Sequence, residues 1–150
     1  MTRDILALDL ASLTGWCEGT PGGQPRFGSI RFAPPGSDTP AIFGGCLKWL
    51  GTRLQAFRPA IRTSRILLGL PAVVEAVGNR MGVHDIREAN VQDVRKHFIG
   101  RRTVPGGGKA AKQAVVQQCR LLGLEVPDTD AADAVALWHY TCALVDPRTS

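Results

Sequence analysis

The sequence has no apolar run long enough to cross a membrane, since its hydrophobic stretches are short and broken by charges, prolines and glycines. Its N-terminus lacks the charged, apolar and small-residue succession of a secretory signal. Both absences point to a chain of the cytoplasm with no membrane partner. The four cysteines, Cys17, Cys46, Cys119 and Cys142, stand far apart. Two of them fall inside apolar patterns as reduced, core-filling thiols, which suits a reducing compartment. His84, His97 and His139 are equally scattered, so no Cys/His spacing for a structural zinc exists. A phosphate-binding loop is missing as well. In "GGGKAA" the leading glycine is absent, Ala110 stands where Ser or Thr is required, and no apolar strand precedes it. No nucleotide cofactor is expected.

What is present describes one globular domain over residues 1–150. A hydrophobic share of 44% is enough to build a core at this length. The balance of 18 Lys+Arg against 13 Asp+Glu gives a net charge of +5, which favours a polyanionic partner.

Residues 4–10 read as a buried strand, 14–18 as a second and 26–32 as a third beyond the Pro-Gly-Gly turn at 21–23. Helical spacing of apolar residues follows over 41–57, ending at Pro59, and again over 63–81, where Ile66, Leu67, Leu70, Val73, Val74 and Val77 share an inner side. Pro71 and two glycines interrupt that second pattern. A short strand fits 83–89. Asn90 can cap a helix over 91–99, the basic loop "GRRTVPGGG" spans 100–108, and a helix fits 109–122. After Pro127, Asp128 or Thr129 can start a last helix through about Leu144. Strands first, then helices alternating with a strand, imply an α/β chain with a mixed sheet flanked by helices.

Two places carry chemistry. In "ILALDLASLTGW" the carboxylate of Asp9 interrupts an otherwise apolar strand, where a lone charge is costly unless something offsets it. Asp9 can simply start the turn that follows. In "DTDAADAVALWHY" Asp130 and Asp133 are three apart and lie on one helix face, with small neighbours Ala131, Ala132 and Ala134. Acids in a first helical turn also meet the helix dipole, but Asp128 already serves that role. One acid on an inner strand and two on a helix face make the oxygen-rich set that a hard divalent cation takes. Two such ions can clamp a phosphodiester for attack by water.

The stretch "ILALDLASLTGW" resembles the first motif of RuvC-type Holliday junction resolvases, and "DAADAVAL" resembles their last. The region "RILLGLPAVVEAVGNRMGVHDIREANVQDVRKHFIG" resembles the phage and prophage versions. The resemblance implies a ribonuclease-H-like fold, a homodimer, two bound Mg²⁺ or Mn²⁺ ions and cleavage of branched DNA. It makes Asp9, Asp130 and Asp133 the metal ligands and catalytic residues. It also implies a fourth acid, a Glu at the end of a central strand between the first long helix and the next. Here "FRPAIRTSRILLGL" runs from one helix almost straight into the other and offers no acid. Either residues 65–70 are extended in place of that strand, or the strand is lost. Glu18 and Glu75 are the nearest substitutes in sequence.

Arg95, Lys96, Arg101, Arg102, Lys109 and Lys112 cluster around the glycine loop, where they can neutralise DNA phosphates or form a solvated surface. Trp16, Trp49 and Trp138 fall in apolar patterns as core residues, and His139 follows the acid pair as a candidate for proton transfer. Three functions are compatible with these features. They are a metal-dependent, structure-selective endodeoxyribonuclease, a catalytically impaired module of the same fold that binds junctions without cutting, and an actin-like or kinase-like relative. The last fits the acid pair and the chain length poorly.

Overall fold

The computed structural model describes residues 3–65 and 69–149, with Arg65 and Thr149 described by backbone only. The chain runs β1 (Ile5–Leu10), β2 (Thr14–Gly19), β3 (Arg26–Ile30), α1 (Thr39–Ala56), β4 (Ala60–Arg65), α2 (Leu70–Arg80), β5 (Ile86–Glu88), α3 (Val91–Ile99), α4 (Gly107–Leu121) and α5 (Thr129–Val145). The sheet order is β3-β2-β1-β4-β5. The first three strands form an antiparallel meander, while β4 runs parallel to β1 and β5 parallel to β4.

All six residues of β1 are buried because helices cover both faces of the sheet. Leu6, Leu8 and Leu10 face α1 and α2, together with Cys46, Leu50, Leu54 and Val74. Ile5 and Ala7 face the layer of α3, α4 and α5, with Val94, Val115, Val135 and Trp138. A strand covered on both sides needs a nearly continuous apolar run. By alternation Asp9 falls on the side of Ile5 and Ala7, facing α5.

The three N-terminal strands and the helices after residue 90 lie within a few residues of their expected bounds. The interval around residues 58–70 does not. No helix begins at Thr63; Ala60–Arg65 is a strand, and the central strand is present. Its β-branched Ile61 and Thr63 suit a pleated, two-sided environment, and Arg62 is stabilised by Asp85, whose Oδ1 accepts from Nη1 at 3.0 Å. The second helix starts only at Leu70, with Gly69 at φ +97° before it and Pro71 in its first turn. A left-handed glycine followed by a proline marks a helix start rather than an interior. Ile66 and Leu67, expected on the inner side of that helix, lie outside the described residues.

The four cysteines are buried and unpaired with one another. Burial pushes their thiols up, to about 11 for Cys119 and about 12 for Cys46 and Cys142, so they are inert packing groups at neutral pH. Trp138 is a core residue. Trp16 and Trp49 are half-buried and hold the Arg53 guanidinium between their rings, 4.1 and 4.7 Å from the centroids.

Candidate active site

Asp9 sits near the carboxyl end of the central strand, and its neighbours on the sheet are Gly15 on β2 and Ser64 on β4. Gly15 is what lets the last helix reach this point. A Cβ there would lie 1.7 Å from the Asp130 carbonyl oxygen, so the first turn of α5 rests directly on the β2 backbone. The helix presents Ala131, Ala132 and Ala134 with no exposed surface. Asp128 caps it, with Oδ1 accepting from the Ala131 amide at 2.8 Å and Oδ2 accepting from the Ser29 hydroxyl on β3. Asp128 thereby serves as the cap, and Asp130 and Asp133 are not needed for it.

Asp9, Ser64, Val94, Arg95, Lys112 and Asp133 line a cavity of about 60 Å³. It has room for a small ion and a few waters. Asp9 is 3% exposed; Oδ1 accepts a hydrogen bond from the Ser64 hydroxyl, and Oδ2 has no hydrogen-bond partner among the described residues. Burial raises the Asp9 carboxyl above its usual range, opposed by the Ser64 hydrogen bond and the Lys112 charge and reinforced by Asp130. Asp133 is pushed up to about 6, first by burial and then by the charge of Asp9, against the pull of Lys112 and Arg95. The Lys112 ammonium stands 3.5 Å from Asp130 Oδ1 and 3.7 Å from Asp133 Oδ2. The Arg95 Nε is buried with no partner among the described residues.

The three aspartates from the two ends of the chain therefore meet at one end of the sheet. Asp9 and Asp133 share the cavity, and Asp130 adjoins it through Lys112. Their side chains do not stand as a ready ligand cage: among the described residues no three Asp, Glu, His or Cys groups are placed to hold one ion together. The donor chemistry nonetheless fits a hard cation. Asp9 Oδ2 is an orphaned, buried oxygen, and a divalent ion would offset the charge of carboxylates clustered in this way. Asp9 and Asp133 would hold it, with Asp130 completing the set once the Lys112 ammonium moves aside.

Neither glutamate considered as a fourth acid belongs to this site. Glu18 is buried on the α1 face of the sheet, where Arg26 and Arg53 hold it at 2.5 and 2.6 Å. Glu75 is exposed on α2. His139 packs against the rings of Trp138 and Phe98, and burial lowers its pKa further, with His97 nearby. Ser64 was not expected at the site. The Ile61/Thr63 alternation beyond Pro59 is the signal for its strand, and the strand's parallel register with β1 places it. The basic residues divide into two groups. Arg95 and Lys112 turn inward to the carboxylates, whereas Lys96, Arg101, Arg102 and Lys109 are exposed, with Arg102 paired to Asp93 at 2.8 Å.

No family model and no curated protein matches the sequence. Solved structures do. Thermus thermophilus RuvC in complex with a Holliday junction substrate superposes at a TM-score of 0.65 and 14% identity, covering 95% of this chain and 94% of that one. A second Thermus thermophilus RuvC structure gives 0.61 and 16%, covering 94% of each. This chain has the RuvC fold. The mixed, ribonuclease-H-like sheet expected from the two end motifs is the one observed. On this RuvC-type frame Asp9 occupies the central strand, and the acid pair opens the helix laid across it.

Proposed function

We propose that this chain is a divalent-cation-dependent endodeoxyribonuclease of branched DNA, four-way Holliday junctions among its substrates. The observation that carries the reading is the shared cavity of Asp9 and Asp133 at the carboxyl end of β1, flanked by Lys112 and Arg95. A bound Mg²⁺ or Mn²⁺ supplies an activated water and charge stabilisation for the leaving oxygen. Asp9 and Asp133 orient that centre from two rigid elements. Lys112 and Arg95 are placed to meet a phosphate brought to the cavity, and Lys96, Arg101 and Lys109 can hold the backbone that leads to it. Two copies related by a two-fold axis would meet the paired strands of a junction symmetrically, so a homodimer is part of the same reading. No described helix is long and apolar enough to cross a membrane, and the four free thiols suit a reducing cytoplasm.

The test pairs a gel shift with cleavage of a labelled four-way junction in Mg²⁺ or Mn²⁺. Wild-type protein is expected to shift and nick the junction, while Asp9→Asn keeps the shift and loses the product. Cleavage by pure Asp9→Asn would refute the assignment. Ser64 in the place beside Asp9 favours a second reading, a module that grips junctions without cutting them, and a strong shift with no product from wild type would support it.

A further inference from the structure

We propose that the acidic centre of this chain takes one divalent cation per protomer, and that Ser64 is the residue that sets this number. The inference rests on the cation-dependent reading above and deepens it. Asp9 has two neighbours on the sheet, Gly15 and Ser64. Gly15 has no side chain to offer, and the α5 backbone fills its space. Ser64, on the same face as Asp9, donates to Asp9 Oδ1, and its hydroxyl stands on β4 where a further carboxylate would have to stand. Oδ2 is the buried oxygen without a hydrogen-bond partner among the described residues.

Two ions side by side need a carboxylate that bridges them and at least one further carboxylate on each. Asp9 could bridge them, but Asp130 and Asp133 both stand on α5, and no acid stands on β4 to take the far side. Glu18 is on the opposite face of the sheet, and Glu75 is exposed on α2. Charge points the same way. With all three carboxylates ionised, as above neutral pH, the Lys112 ammonium and the Arg95 guanidinium that face them leave one net negative charge. One divalent ion reverses it to a single positive charge, which a phosphate can neutralise. A second would leave an excess of positive charge in a cavity of about 60 Å³.

The test counts Mn²⁺ bound to the full-length protein by isothermal titration calorimetry and by the electron paramagnetic resonance signal of free Mn²⁺, with thermal unfolding as the check on folding. Wild type and Ser64→Ala are each expected to bind one ion per chain, and Ser64→Glu is expected to bind two. Should Ser64→Glu not fold, the shorter Ser64→Asp carries the same expectation. Two ions on wild type would overturn the count while leaving the cation-dependent function standing. One ion on a folded Ser64→Glu or Ser64→Asp would overturn the role of Ser64. No ion on wild type would remove the function on which the inference rests, and the count with it.

Discussion

Asp133 shows what the site costs the fold. A carboxyl raised to about 6 by burial and by Asp9 binds its proton more tightly in the folded chain than in the unfolded one, where it titrates near 3.8. The folded state therefore holds the extra proton between those values, and stability falls as pH rises through 6. The stabilising share is complete below the unfolded value and lost above the folded one. Asp133→Asn removes the penalty. In the absence of divalent cations we expect it to be more stable than wild type by roughly 2 kcal/mol at pH 8, with the two curves drawing together from about pH 6 and meeting near pH 4. Urea unfolding across that range measures it, and parallel curves would show that Asp133 is not destabilised by its surroundings. Asp9 shifts in the same direction, so the cation-free acidic centre is expected to add to stability at acidic pH and to lose that share as pH rises.

Among elements, the contact of α5 with β2 decides whether the acids meet. Gly15→Ala would place a methyl carbon inside the Asp130 carbonyl, and backbone on both sides leaves no flexible side chain to yield. We expect a loss of about 2 kcal/mol or more in stability, together with weakened Mn²⁺ binding, because the first turn of α5 must lift from the sheet. Unfolding and metal titration on the same sample check both effects. Half of this contact was legible in the sequence: the small alanines around Asp130 and Asp133 leave room for another element, whereas the part played by Gly15 shows only in the fold. The β4 strand was not legible in the same way. Its buried residues include Arg62, Thr63 and Ser64, polar groups that look out of place in a core strand until their partners Asp85 and Asp9 are seen. Those partners lie 23 and 55 residues away in the chain, so short-range periodicity could not supply them. Apolar residues at 66–77 also continued a helical rhythm backwards across Gly69, which hid the true start at Leu70. The basic residues divide for a related reason. In sequence all six cluster around the glycine loop, and helical phase on α3 and α4 turns Arg95 and Lys112 inward.

For the whole molecule, the sheet separates two tasks. The α1–α2 layer packs a hydrophobic core around Leu6, Leu8 and Leu10, while the α3–α5 layer carries the acids inside and exposed cations outside. On the proposed function, Lys96, Arg101 and Lys109 would be sequence-independent phosphate contacts. Changing all three to Gln is expected to lower the slope of log affinity against log salt by about 2 to 3 on duplex or junction DNA alike. An unchanged slope would place the DNA on another surface. The central claim is that Asp9 and Asp133 converge to hold a divalent ion, and anomalous diffraction from crystals of the full chain soaked in Mn²⁺ tests it most directly. The expected result is a peak within ligating distance of Asp9 Oδ2 and Asp133, with the Lys112 ammonium moved aside. Well-ordered aspartates with Lys112 still spanning Asp130 and Asp133, and no peak beside them, would contradict it.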